Sequence, residues 1–192
     1  MKIFSPLYER ALSWSRHPRA PWFLGGLSFA ESSFFPIPPD VMLAPMSLAN
    51  PRRAFHFALL TTLASVAGGL FGYLIGYFAF DALELWLRGT HYWAAYEQAV
   101  LWFKEWGFWA IFIAGFSPIP YKVFTIAAGV ASMALLPFTL ASFVGRGARF
   151  FLVAGLMAWG GERMEGVLRT YVDRIGWATV VAVVAGVVVY RF

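Results

Sequence analysis

The sequence has no cysteine and few charged residues. Of its 192 residues, Asp, Glu, Lys and Arg make up only 13%, whereas hydrophobic residues make up 60%. The absence of cysteine excludes a disulfide framework. A soluble domain would contain about a quarter charged residues, and a soluble fold of this size cannot hide so much apolar surface. The composition therefore indicates an integral membrane protein.

The sequence also lacks the motifs of common enzymes and metal proteins. It contains no nucleotide-binding loop, no HExxH and no nucleophile–base spacing, and its 3 histidines are scattered. We therefore expect no catalytic residue, no metal site and no cofactor. The net charge of +5 comes from isolated basic residues, which favours the basic cytoplasmic loops of a membrane protein over nucleic-acid binding.

Long uncharged runs predict membrane-crossing helices. Residues 54–80 contain no Asp, Glu, Lys or Arg, residues 107–145 contain only Lys122, and residues 175–190 contain none. A helix needs about 20 mostly apolar residues to cross the hydrocarbon core. We expect crossings at 54–80 and 136–159, and a shorter one at 175–190.

A proline element occurs twice and predicts an internal duplication. Residues 36–41 read PIPPDV and residues 118–123 read PIPYKV, 82 positions later. A glycine-rich apolar segment follows each copy, and such self-similarity is the mark of a repeat. The offset makes Asp40 and Lys122 equivalent.

The segments before the two motifs are too short to cross a membrane. A helix over residues 107–116 would be about 15 Å long, half of the hydrocarbon core, and two prolines in three residues break a helix. The sequence therefore predicts two re-entrant hairpins, although two kinked full spans at 22–49 and 107–136 are the alternative. The predicted hairpin tips are Pro36, Pro38, Pro39, Pro118 and Pro120.

These elements predict an all-α integral membrane protein in a single domain. It would have two re-entrant hairpins in inverted repeats, about three transmembrane helices and interfacial amphipathic helices. The expected order is an interfacial helix at 1–21, repeat 1 at 22–80, an interfacial connector at 81–106, repeat 2 at 107–161, and a cytoplasmic loop with the last crossing helix at 162–192. Most basic residues fall on one side of this topology, which places the N-terminus in the cytoplasm.

Charged residues in apolar surroundings near the tips are the candidate pathway for a substrate or ion. They are Glu31, Asp40, Lys122, Arg146 and Arg149. Charges at bilayer depth usually pair, face a cavity and mark a pathway. We expect Asp40 to pair with Lys122, and Glu31 to pair with Arg146 or Arg149, which leaves one guanidinium for a phosphate. These pairs either fix the fold or form a protonatable or anion-binding site, and the sequence leaves both open.

The two motif regions resemble the DedA family, whose shared region is called the VTT or SNARE-associated domain. Residues 31–40 resemble the first signature of the family. Residues 116–129, followed by Arg146 and Arg149, look like the second half of its YqaA-like branch. The resemblance extends over about residues 20–160.

This resemblance implies a bacterial inner-membrane protein with two opposed re-entrant hairpins. Members are implicated in moving lipids between leaflets, including undecaprenyl phosphate, and in homeostasis of the proton motive force. Glu31 and Asp40 match the membrane acids of the family. Lys122 stands where many relatives have arginine, so the charge is kept and the bidentate fork is lost.

Three functions are open at this point. The first is translocation or scrambling of an anionic phospholipid or undecaprenyl phosphate, with Lys122, Arg146 and Arg149 holding the phosphate, and Glu31 and Asp40 relaying protons or releasing the basic residues. The second is a proton-coupled carrier of a small ion or solute. The third is an assembly or scaffold protein. We expect membrane lipids and protons as partners, no enzyme activity and no nucleic acid, and a homo-oligomer stays open.

Overall fold

The computed structural model describes residues 17, 19–35, 37–88, 92–117 and 120–160. Within these ranges every regular element is a helix, and there is no strand. A 3-10 turn at Pro51–Arg53 joins the second and third helices. The helices are α1 (Ala20–Ser33), α2 (Asp40–Ala49), α3 (Ala54–Arg88), α4 (Tyr92–Phe116), α5 (Tyr121–Val130) and α6 (Leu135–Gly160).

Some of the expected features lie outside the described residues. They are the interfacial helix at 1–21 for most of its length, the tip residues Pro36 and Pro118, and the crossing helix at 175–190. Of the other predicted tip residues, Pro39 precedes α2 and Pro120 precedes α5. Both prolines therefore mark helix starts, where their missing N–H group costs no helical hydrogen bond.

Two long helices, α3 and α6, run antiparallel. The rings of Tyr73 and Phe138 lie 5.2 Å apart near the start of α6, and the rings of Phe55 and Phe151 lie 5.9 Å apart near the start of α3. Both helices are long and apolar enough to cross a membrane. The expected crossing segments at 54–80 and 136–159 are confirmed as helices of spanning length.

The first hairpin, α1 with α2, lies along the first half of α3. The Ser28 hydroxyl donates to the Thr61 carbonyl at 2.8 Å, and the Ser33 hydroxyl donates to the Gly68 carbonyl at 3.0 Å. Since the residue numbers of the donors and of the acceptors rise together, α1 is parallel to α3. The chain then returns through α2, which ends at Ala49, next to the start of α3. The tip between α1 and α2 thus lies beside the middle of α3.

The second hairpin, the end of α4 with α5, meets the other half of α3. A Cβ on Gly69 would lie 3.0 Å from the Tyr121 hydroxyl, and a Cβ on Gly129 would overlap the Tyr73 carbonyl. The first residue of α5 therefore lies at the middle of α3, and its later residues lie toward the far end of α3. The two hairpins therefore occupy opposite halves of one helix, and their relation as inverted repeats stays a prediction. Their re-entrant course in a bilayer stays a prediction.

Glycines in α3 permit this close packing. A Cβ on Gly68 would overlap the Phe29 carbonyl of α1, and a Cβ on Gly76 would overlap the Ile126 carbonyl of α5. Small residues let helix backbones approach closely in membranes, where helices are not driven together by a hydrophobic effect. The glycine-rich segment therefore holds a hairpin on each half of α3.

No helix end marks the expected boundary between the connector and the short arm at 106/107. The helix α4 continues from Tyr92 to Phe116, 25 residues, or about 37 Å. Gly107 does not break it, because a single glycine costs a helix only about 1 kcal/mol and this one packs against the Met133 sulfur. The helix before the first motif, α1, is therefore short, with 14 residues, whereas the helix before the second motif, α4, is not.

The polarity of the molecule is that of a membrane protein. Large apolar side chains such as Trp22, Phe78, Leu136 and Trp159 are exposed, and contiguous surfaces of this kind indicate contact with lipid. Polar side chains are instead buried between the helices. The buried polar residues are Ser28, Ser32, Ser33, Ser47, Thr61, Thr62, Ser65, Thr125, Ser142 and Arg146.

Candidate functional site

Arg146, on α6, lies at the centre of a buried polar network between α1 and α3. Its Nε donates to the Ser65 hydroxyl at 2.6 Å, and its Nη2 donates to Glu31 Oε2 and to the Ser32 hydroxyl. The Ser32 and Ser65 hydroxyls lie 2.7 Å apart. The predicted pairing of Glu31 with Arg146 is confirmed, and it joins three helices at the level of the hairpin tips.

Two aromatic rings pack against the Arg146 guanidinium. The centroids of Tyr121 and Phe150 lie 4.9 and 4.7 Å from its Cζ. The Tyr121 ring is fixed in turn by a hydrogen bond of 2.5 Å from its hydroxyl to Ser142. The Arg146 side chain is 2% exposed. This geometry holds Arg146 in place and leaves little of its side chain accessible to a phosphate.

Arg149 carries a second ion pair at the edge of the network. Its Nη2 lies 2.7 Å from Asp40 Oδ2, and its Nη1 donates to the Ser117 carbonyl at 2.9 Å. The side chains of Arg149 and Asp40 are 21% and 23% exposed. Asp40 Oδ1 is buried and has no hydrogen-bond partner. This pair is thus more accessible than the first and less completely satisfied.

The predicted pairing of Asp40 with Lys122 is wrong. The Lys122 Nζ donates to the Phe35 carbonyl at 3.3 Å, while Asp40 binds Arg149. Equivalent positions in two repeats need not touch, because Lys122 reaches the first hairpin tip whereas Asp40 binds Arg149 of α6. The acceptors are backbone carbonyls, which the pattern of charged side chains does not indicate.

Proline explains why the Phe35 carbonyl is free to accept. In a helix it would accept from the N–H group of residue 38 or 39, but both are proline and have none. Phe35 and Ser117 are themselves equivalent at the offset of 82. Each accepts a hydrogen bond from a basic side chain, Lys122 or Arg149. Two consecutive prolines at these positions are the signal that would have identified this acceptor.

Counted over the residues that the structure describes, the site has one positive charge in excess. Glu31 compensates Arg146 and Asp40 compensates Arg149. Among the residues that the structure describes, Lys122 has no carboxylate partner. The sequence assigned the uncompensated charge to a guanidinium, whereas the structure assigns it to an ammonium group that is partly exposed.

The serines near the tips have different roles. Ser33 donates to the carbonyls of Phe29 and Gly68, as expected for a residue that satisfies backbone groups. Ser32 joins the Arg146 network instead, and Ser117 takes part through its own carbonyl. No group of His, Asp and Glu that could hold a metal ion occurs in the described part of the chain.

Helices with apolar exteriors and charges buried between two hairpins define a helical membrane protein. The model of the VTT domain matches residues 37–158. The chain therefore belongs to the VTT-domain, or DedA, family, which confirms the resemblance found in the sequence. The matched region includes Asp40, Lys122, Arg146 and Arg149 and begins after Glu31.

Several curated proteins are similar to this chain. A protein of Haemophilus influenzae is 51% identical over 184 residues, 96% of each chain. One of Histophilus somni is 48% identical over 181 residues, 94% of this chain and 95% of that one. Both are described as uncharacterized. The undecaprenyl phosphate transporter A of Staphylococcus aureus is 30% identical over 122 residues, 57% of this chain and 58% of that protein. No solved structure matches significantly.

Proposed function

We propose that this chain is a membrane transporter that moves an anionic lipid headgroup, that of a phospholipid or of undecaprenyl phosphate, between the two leaflets. One observation carries the proposal: the uncompensated charge of Lys122 lies where the two hairpin tips meet, beside the accessible Arg149–Asp40 pair. An arrangement with one excess positive charge accepts one anion, and a phosphate is the anion that arginine and lysine bind well.

The positions of the hairpins suit this transport. If α3 crosses the bilayer, the tips beside Gly68 lie near mid-membrane, since Gly68 follows Ala54 by 14 positions, or about 21 Å of helix. Re-entrant hairpins from opposite sides would then give the headgroup a polar notch at the depth where it is least soluble in lipid. The acyl chains would stay against the exposed apolar side chains of the helices. We place the protein in the bacterial inner membrane with the N-terminus in the cytoplasm.

The candidate residues divide into two groups in this mechanism. Glu31 and Arg146 fix α1 and α6 at the level of the tips. Lys122 and Arg149 contact the phosphate, and Asp40 competes with the phosphate for Arg149. Protonation of Asp40 would release Arg149 and couple transport to protons. The transporter of Staphylococcus aureus, which is named for a lipid phosphate, supports the substrate class.

Leaflet exchange in reconstituted liposomes tests the proposal. Fluorescent phosphatidylglycerol and fluorescent phosphatidylcholine are placed in both leaflets, and the outer label is quenched with a reductant that does not cross the membrane. We expect the protein to accelerate exchange of the anionic lipid and to have a smaller effect on the zwitterionic lipid. Exchange at the rate of protein-free liposomes for both lipids would contradict lipid transport.

A second candidate is a proton-coupled carrier of a small ion or solute. The observation that favours it is Asp40 Oδ1, a buried carboxylate oxygen with no hydrogen-bond partner. Protonation would neutralise this costly group, and intramembrane acids commonly relay protons. Uptake of a small anion that follows an imposed pH gradient and is abolished in Asp40→Asn, without any leaflet exchange, would favour this candidate over lipid transport.

A further inference from the structure

We propose that Lys122 is a latch between the two hairpin tips, and that the same ammonium group receives the anion. Binding of the anion and release of the first tip would then be one event. The inference rests on the proposed function for the identity of the anion, a phosphate headgroup. The latch itself rests on contacts within the chain.

Each hairpin tip has a backbone carbonyl that accepts a hydrogen bond from a basic side chain. Lys122 of the second repeat donates to the Phe35 carbonyl of the first repeat. Asp40, its equivalent in the first repeat, accepts only, so it reaches the second tip through Arg149, which donates to the Ser117 carbonyl. The tips are therefore joined by two links: the Lys122–Phe35 link, and the link from Asp40 through Arg149 to Ser117.

The two links differ in strength. Arg149 makes an ion pair at 2.7 Å and a second hydrogen bond at 2.9 Å. Lys122 makes one hydrogen bond, at 3.3 Å, to a neutral carbonyl. A hydrogen bond between an ammonium group and a phosphate has charge on both partners and is the stronger kind. An incoming anion therefore recruits Lys122 more readily than Arg149, because no ion pair has to break.

Recruitment of Lys122 has a consequence for the first hairpin. The Phe35 carbonyl loses its donor, and neither Pro38 nor Pro39 can replace it. The link through Asp40 and Arg149 stays in place. The expected result is a displacement of the first tip relative to the second, without loss of the helices.

The absence of cysteine allows a direct distance measurement. Val41 and Val123 are equivalent positions next to Asp40 and Lys122, and they are 52% and 58% exposed. Spin labels on Val41→Cys and Val123→Cys report the separation of the tips by pulsed electron resonance. The protein is placed in nanodiscs of phosphatidylcholine. The distance distribution is recorded without an anion, with phosphatidic acid and with inorganic phosphate. Phosphatidic acid at about one lipid in ten is ample for a weak site.

We expect phosphatidic acid to lengthen or broaden the distance distribution of the wild-type background. Lys122→Met should show the released distribution without any anion and should not respond further. Lys122→Arg, which keeps reach and charge, should respond like the wild type. Lys104→Met, an exposed lysine of α4, is the matched control and should behave like the wild type. A response to inorganic phosphate alone supports the latch and assigns the ligand to a free anion.

Two results would overturn the latch. One is a Lys122→Met protein with the distance distribution of the wild type. The other is a wild type that exchanges anionic lipid between leaflets while its tip separation does not change on addition of phosphatidic acid. The latch and the lipid transport can fail separately. If phosphatidic acid and Lys122→Met both release the tips, but the protein exchanges no lipid between leaflets, the latch is supported and lipid transport is contradicted.

Discussion

Asp40 binds Arg149 across the two repeats, with Oδ2 and Nη2 at 2.7 Å. This contact differs from the Glu31–Arg146 pair in its surroundings. About a fifth of each side chain is exposed in the Asp40–Arg149 pair, whereas Arg146 and Glu31 are 2% and 15% exposed. Accessible ion pairs contribute little to stability, and buried ones are costly to break. The two pairs should therefore respond differently to substitution.

Arg146→Met should destabilise the fold strongly. It leaves the Glu31 carboxylate without its guanidinium, and breaking a buried ion pair costs about 3–5 kcal/mol. Thermal unfolding in detergent measures the change. Arg52→Met, at an exposed arginine of the 3-10 turn, is the control and should leave the midpoint unchanged. Equal midpoints for Arg146→Met and the wild type would contradict a fixing role for Arg146.

Double-mutant cycles should separate the two pairs. We expect a smaller coupling energy between Asp40 and Arg149, whose side chains are partly exposed, than between Glu31 and Arg146. The cycle for Glu31 and Arg146 should give a value toward the upper end of about 0.5–3 kcal/mol. Asp40→Asn should accordingly be folded but deficient in leaflet exchange. A coupling energy between Asp40 and Arg149 that equals the coupling energy between Glu31 and Arg146 would show that both pairs only fix the fold.

Gly76→Ala should separate α5 from α3. The new Cβ would overlap the Ile126 carbonyl, and forced overpacking costs about 1–3 kcal/mol. Gly26→Ala is the control, because a Cβ there meets nothing within 4 Å and alanine favours a helix by up to about 1 kcal/mol. The thermal midpoint should fall for the first variant and hold or rise for the second. The same midpoint for both would mean that α5 does not need the glycine.

Part of the fold was predictable from the sequence. Residues 54–80 and 136–159 are uncharged or nearly so over a membrane thickness, and length and apolar composition identify such helices. The proline motifs correctly separated α1 from α2 and α4 from α5. The continuity of α4 was not predictable, because its several tryptophans are typical of interfacial helices.

The site was predictable in its members and less so in its contacts. All five charged residues lie at the hairpin tips or in the adjacent network, and the Glu31–Arg146 pair was among the expected ones. The partner of Asp40 depends on the rotation of α6, which the sequence does not specify. The Phe35 and Ser117 carbonyls were missed because only side chains were considered as partners of the charged residues. Backbone carbonyls that the prolines leave unpaired also accept hydrogen bonds.

Leaflet exchange of an anionic lipid by Lys122→Met is the measurement that tests the central proposal most directly. The variant is reconstituted beside the wild type and Lys104→Met, after the three proteins have been shown to unfold at the same temperature. Lys122→Met should exchange fluorescent phosphatidylglycerol no faster than protein-free liposomes, whereas Lys104→Met should retain the wild-type rate. A folded Lys122→Met protein that exchanges the lipid at the wild-type rate would contradict the proposal.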